Sequence, residues 1–199
     1  MVVLHYSIHL SSHSPTNSLF AQGSTTAALI TLLNTITTLL TTGLYIIVIS
    51  LDFRRAFDTV QHSTPLEKLA PLDIPGNAFN WLVDFFGNHS HGTVYKGEWS
   101  TMKLVTASII QGSAIGPASY FATAGDLNAV TPENRLVNFA ADTYLVILAS
   151  NVDSRTAEIR NAETWACQSN LILNSVTTKE IVLRRSTSKT SNATIAAVV

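Results

Sequence analysis

Charge is missing from the first quarter of this chain. No Lys, Arg, Asp or Glu occurs before Asp52. A secretory signal peptide opens with a basic stretch, and Met1 to Leu10 has none. Charge is scarce elsewhere too: 13% of the 199 residues are charged, and the net charge is −1. Proteins that grip nucleic acid through its phosphates carry a basic excess, so general nucleic-acid affinity is expected to be weak here, with a local basic face left open. The single cysteine, Cys167, excludes an intramolecular disulfide and any Cys-based zinc site. It suits a reducing compartment. Long apolar runs are also lacking. The most apolar early segment, Ala27 to Leu40, is cut by Asn34 and several threonines, and is too short and polar for a membrane span.

What is present is a core. Hydrophobic residues make up 46% of the chain, which suits one globular domain and excludes the disordered class. Residues 1–22 show no periodicity. His5, His9 and His13 recur every fourth residue, but Ser, Thr and Pro15 crowd them and no acidic ligand stands near, so they read as solvated side chains. From Ser24 or Thr25 a helix is expected, with Leu29, Leu32, Leu33, Ile36 and Leu40 on one face and Gly43 as its stop.

The run Tyr45 to Asp58, YIIVISLDFRRAFD, organises the rest. Its β-branched part reads as a buried strand, which needs elements packed above and below. Asp52 ends it. A buried carboxylate must be solvated, paired or metal-bound. On local pattern alone the plainer reading is favoured: Asp52 marks where the strand meets solvent.

Further on, Thr64 and Glu67 have capping-box spacing, with Pro65 at the first helical position and Pro71 as the stop. Phe79, Leu82, Val83 and Phe86 mark another helix. Residues 93–95 and 102–105 are expected to pair as a hairpin turning at Gly97. Ile109 to Pro117, IIQGSAIGP, is a glycine-containing loop entering a helix from about Ala118 to Val130. Residues 136–139 and 144–148 form a tight hairpin with Asp142 at its tip. A helix from about Ser154 to Asn170 and a short strand, Ile181 to Leu183, follow. The pattern predicts an α+β fold, an antiparallel sheet with helices packed on one face.

Several of these stretches resemble, in order, the reverse transcriptase domain of non-LTR retrotransposons of the jockey-like kind. Residues 51–62, LDFRRAFDTVQH, are similar to that family's LDFSKAFDTVxH signature, with Arg54 and Arg55 in place of Ser-Lys. Residues 111–117, QGSAIGP, are similar to its QGSxLGP loop, and 139–143, FAADT, to FADDT. Leu173-Asn174 with Thr178-Lys179-Glu180 is similar to LNxxKTKE. Residues 23–29, GSTTAAL, and Trp81, Leu82, Val83 and Phe86 also fit.

The resemblance covers 23–183 and implies a polymerase palm with part of the fingers, after an unassigned leader (1–22) and before a poorly ordered tail (184–199). It implies two-metal nucleotidyl transfer with Mg2+ or Mn2+, using an RNA template, a DNA primer and dNTP, in an intracellular compartment and without a membrane. Asp52 and Asp142 become the catalytic, metal-binding aspartates. Phe53 (through its backbone oxygen), Phe57 (beneath the sugar), Gln111 and Gly112 (along template and nucleotide) and Lys179 (toward the phosphates) become nucleotide-binding residues. The family's usual lysine, however, falls at Thr177.

The departures fall on the chemistry. Ala141 stands where the family has its shared metal-binding aspartate, and neighbouring residues on extended backbone point to different sides, so Asp142 does not take over that position. Phe20-Ala21-Gln22 lacks the arginine the family carries before its GST segment, and Ile110 stands where many relatives have proline. No thumb, endonuclease domain or zinc knuckle is read in the chain, which looks like a piece of a longer reading frame. Catalysis is expected to be impaired. The alternatives are a non-catalytic nucleic-acid-binding remnant and an inactive transposon relic.

Overall fold

A computed structural model describes residues 17–19, 25–109, 115–139 and 141–185. The reading of His5, His9 and His13, and that of the tail beyond residue 185, lie outside the described residues. The elements in chain order are β1 (Asn17–Leu19), α1 (Thr25–Thr42), β2 (Tyr45–Leu51), β3 (Phe53–Arg54), α2 (Ala56–Thr59), α3 (Ser63–Leu69), α4 (Gly76–Phe86), β4 (Ser90–His91), β5 (Val94–Tyr95), β6 (Glu98–Trp99), β7 (Lys103–Leu104), α5 (Gly116–Ala124), β8 (Arg135–Phe139), β9 (Asp142–Leu148), a 3-10 stretch (Ala149–Ser154), α6 (Arg155–Gln168), β10 (Ile172–Leu173) and β11 (Lys179–Arg184).

The main sheet runs β1-β8-β9-β2-β11. Its pairings are antiparallel except β1 with β8, which is parallel. β2 lies between β9 and β11, and Ile46 to Ile49 are no more than 7% exposed. Alternation along β2 divides the core. Ile47, Ile49 and Leu51 join Tyr120, Leu127, Leu145, Ile147 and Trp165 in a large cluster with α5 and α6. Ile46 and Val48 join Leu39, Val146 and Leu148 under α1. The fold is therefore α+β, as expected, with the larger helical layer on one face and α1 as a cover on the other. A strand buried on both sides requires that second layer.

Local details differ from the sequence reading where torsions and packing decide them. The inward seam of α1 runs through Ala28, Leu32, Ile36, Leu39 and Leu40, while Leu29 and Leu33 are 56% and 50% exposed. Small Ala28 fits against the sheet where a larger side chain would hold the helix off. α3 starts at Ser63 with no side-chain cap, so the Thr64–Glu67 box is not used. Val94–Tyr95 pairs with Glu98–Trp99, and Lys103–Leu104 pairs instead with Ser90–His91. Lys96 and Gly97 both have positive φ, 52° and 85°. That turn closes on its immediate neighbours, which fixes the tight pairing. α5 ends at Ala124, before Gly125, rather than at Val130.

Candidate active site

β2 delivers Asp52 to the point where the main sheet breaks. The next two residues leave it and pair with β10, Phe53 opposite Leu173 and Arg54 opposite Ile172. Arg55 then adopts a left-handed conformation, φ 49° and ψ 40°, which turns the chain into α2. Asp52 is half-buried at this corner.

The sheet brings Asp142 beside it. β2 and β9 pair through Leu51 and Thr143, so one step further along the register sets Asp52 next to Asp142. Asp142 is the first residue of β9, paired with Phe139, and not the tip of the turn as the sequence suggested. Two residues, 140 and 141, make the connection. Asp142 is exposed and lines a cleft of about 160 Å³ with Phe139, Tyr144 and the Ala28–Leu32 side of α1. Ala141 is half-buried and packs against the large α5–α6 core. The two neighbours serve different surroundings.

Asp142 also shapes the electrostatics. The Tyr144 and Tyr120 hydroxyls are both held above the ordinary tyrosine range, first by burial and second by the Asp142 charge. Phe57 is half-buried, with its ring 4.8 Å from that of Tyr120. Phe53 is 4% exposed and meets Trp165 edge-on at 5.5 Å. Its ring belongs to the core, so only its backbone is left for a site role. Lys179 is exposed on β11 opposite Ser50, and its ammonium donates to the Val176 carbonyl at 3.2 Å. Gln111 and Gly112 lie outside the described residues.

Sequence reasoning gave no role to two groups that the fold builds into this corner. The first is the turn between β10 and β11. Asn174 Nδ2 donates to Asp52 Oδ2 at 3.1 Å, and the Thr177 hydroxyl donates to the same oxygen. The one available signal was a threonine where the resemblance places a lysine. The second is His62, 7% exposed. Its ring nitrogens face the Phe86 carbonyl at 3.1 Å and the Ser108 carbonyl at 2.9 Å, and its backbone N–H donates to Thr106 at 2.9 Å. Ser108 N–H donates to Val60 at 2.9 Å and Ile109 N–H to Phe57 at 2.6 Å. The segment that leads toward residue 111 is thus tied to the corner that follows Asp52.

A divalent cation prefers hard oxygen ligands, and Asp52 and Asp142 supply carboxylates of that kind. Among the described residues no three His, Cys, Asp or Glu side chains gather as a metal site. Among the described residues, too, no helix is long and apolar enough to cross a membrane.

A family model described as reverse transcriptase (RNA-dependent DNA polymerase) matches residues 6–189. The match takes in β1, upstream of Gly23. No curated protein sequence matches significantly. Among solved structures, apo telomerase from Candida tropicalis truncated from its C-terminal domain aligns with TM-score 0.62 and 15% identity, over 89% of this chain and 38% of the telomerase. Candida tropicalis telomerase in complex with a fragment of telomeric RNA aligns with TM-score 0.65 and 12% identity, over 87% of this chain and 31% of the telomerase. The likeness is one of fold, and the chain spans about a third of the length of these proteins.

Proposed function

The chain belongs to the reverse transcriptase (RNA-dependent DNA polymerase) family, and from that premise we propose that it is the palm, with part of the fingers, of a non-LTR retrotransposon reverse transcriptase whose nucleotidyl transfer is impaired at Ala141. The observation that carries this reading is the β2–β9 register, which sets Asp52 beside Asp142 and leaves Ala141 as a methyl group against the core. The structurally similar telomerase bound to telomeric RNA supports an RNA template as partner, with a DNA primer and dNTP to follow from the family.

Asp52 and Asp142 are the residues that would hold a divalent cation, Mg2+ or Mn2+. Such an ion supplies positive charge to the oxygens of the transferring phosphate. Asp52 is fixed at a sheet corner and needs little reorganisation. Phe57, at the start of α2 and braced by Tyr120, suits the sugar of an incoming nucleotide. Lys179 shares the Ser50 end of the sheet and suits the phosphates. Gln111 and Gly112 suit the template side. What this set lacks is the carboxylate at position 141. Removing one member of a cooperating catalytic unit costs several orders of magnitude in rate.

The test is primer extension on an RNA template with Mg2+ or Mn2+, comparing this chain with its Ala141→Asp variant. Extension by the variant alone is expected. Extension by the unaltered chain would overturn the impairment. Failure of both would move the defect away from position 141.

A further inference from the structure

Asp52 is enclosed on one side by the turn between β10 and β11. The Asn174 N–H donates to the Asp52 carbonyl at 2.7 Å, and the Asp52 N–H reaches Thr178 Oγ1 at 3.5 Å. These backbone ties add to the two side-chain donors on Oδ2, Asn174 Nδ2 and the Thr177 hydroxyl. The turn is itself closed, because the Thr178 N–H and hydroxyl both donate to the Asn174 carbonyl, at 2.9 and 2.8 Å.

The arrangement is lopsided. Both side-chain donors choose Oδ2, and among the described residues Oδ1 takes no hydrogen bond. Asn174 Oδ1, meanwhile, is buried with no partner. A buried acceptor left unpaired is unfavourable. The amide keeps that orientation because the opposite one would face its oxygen to the carboxylate.

We propose that Asn174 and Thr177 are positioning residues for cation binding by Asp52: they fix the plane of its carboxylate and leave Oδ1 as the oxygen offered to a divalent cation. The inference rests on the reading of Asp52 as a cation ligand. Hydrogen bonds to the outer side of a ligating carboxylate orient it, and losing such a partner typically costs about 10–100-fold in metal affinity. Thr177 is exposed and contributes little to the core, so its hydroxyl can be removed without unfolding the turn.

The experiment is Mn2+ binding by the full chain, read from the electron paramagnetic resonance signal of free Mn2+, with thermal unfolding recorded for every variant. Asp52→Asn is expected to abolish the strongest Mn2+ binding. Thr177→Val is expected to weaken it about tenfold with unchanged unfolding, Asn174→Ala to weaken it as well, and Thr177→Ser to stay within a factor of about two of the unaltered chain. Wild-type affinity in Thr177→Val, alongside loss in Asp52→Asn, overturns the positioning role alone. Equal binding by Asp52→Asn and the unaltered chain overturns the ligand reading beneath it, and the inference with it.

Discussion

The buried carboxylate of Glu158 accepts the side-chain amide of Asn134 at 2.8 Å, and both residues are at most 2% exposed. The same carboxylate accepts the backbone N–H groups of Val130 and Thr131 at 3.0 and 2.8 Å. A carboxylate this deep is tolerated because three donors replace its water. The pair anchors α6 to the turn that launches β8. Glu158→Ala removes the acceptor that the Val130, Thr131 and Asn134 donors share, and the Asn134 amide nitrogen keeps its bond to Ser154; a loss of about 1–3 kcal/mol is expected in urea unfolding.

Alkaline pH tests the tyrosines near Asp142. The Tyr120 hydroxyl titrates above the ordinary value because of burial first and the Asp142 charge second. The folded state therefore keeps a proton that the unfolded chain gives up near pH 10. Stability from this source is whole below that pH and declines as pH rises above it. Tyr120→Phe should flatten the alkaline limb of a stability-against-pH curve, and Asp142→Asn should shift the absorbance titration of Tyr144 toward lower pH.

His62 joins three stretches of chain through Phe86, Ser108 and Thr106. His62→Ala is expected to lose about 1–3 kcal/mol, because the carbonyl that accepts the ring N–H loses its partner and the packing of the ring against Phe86 is lost. Ser108 has φ 97°, an uncomfortable conformation for a side-chain-bearing residue. Releasing it should raise amide hydrogen exchange in residues 106–109 more than in β2 or β9.

Nucleic-acid affinity should be weak. With net charge −1, a filter-binding titration of a primer-template is expected to show a shallow dependence on salt, since few phosphates are neutralised. A steep slope would reveal a local basic face and favour the non-catalytic binding remnant over an inert relic.

The parts of the fold legible in the sequence are those with a strong local cause. The β-branched run of β2 announces a buried strand, and Asp52 is conspicuous because no charge precedes it. The spacing in α6 sets Ile159, Ala162 and Ala166 on one side with Trp165 beside them; the structure buries Ala162, Trp165 and Ala166 and packs the partly buried Ile159 against the same core. Pairings set by geometry were not legible: the positive φ of Lys96 and Gly97 decides which strands meet, and composition does not reveal it. β1 is three residues with no pattern of its own, and the edge of β8 defines it. The Thr177–Asp52 contact spans 125 residues, so no window of sequence contains both ends.

The place of β2 has a consequence during synthesis. Its partners β9 and β11 are translated roughly a hundred residues or more after it, which at about 5–20 residues per second leaves the strand waiting several seconds or longer. Ile46 to Ile49 carry no charge and no proline to discourage pairing with a stranger. Among the described elements, α1 precedes β2 and can cover one face, and α5 follows before β9 to cover the other. The nascent chain thus exposes its stickiest segment early, and its yield in a cell should depend on chaperone supply more than on the final stability of the sheet.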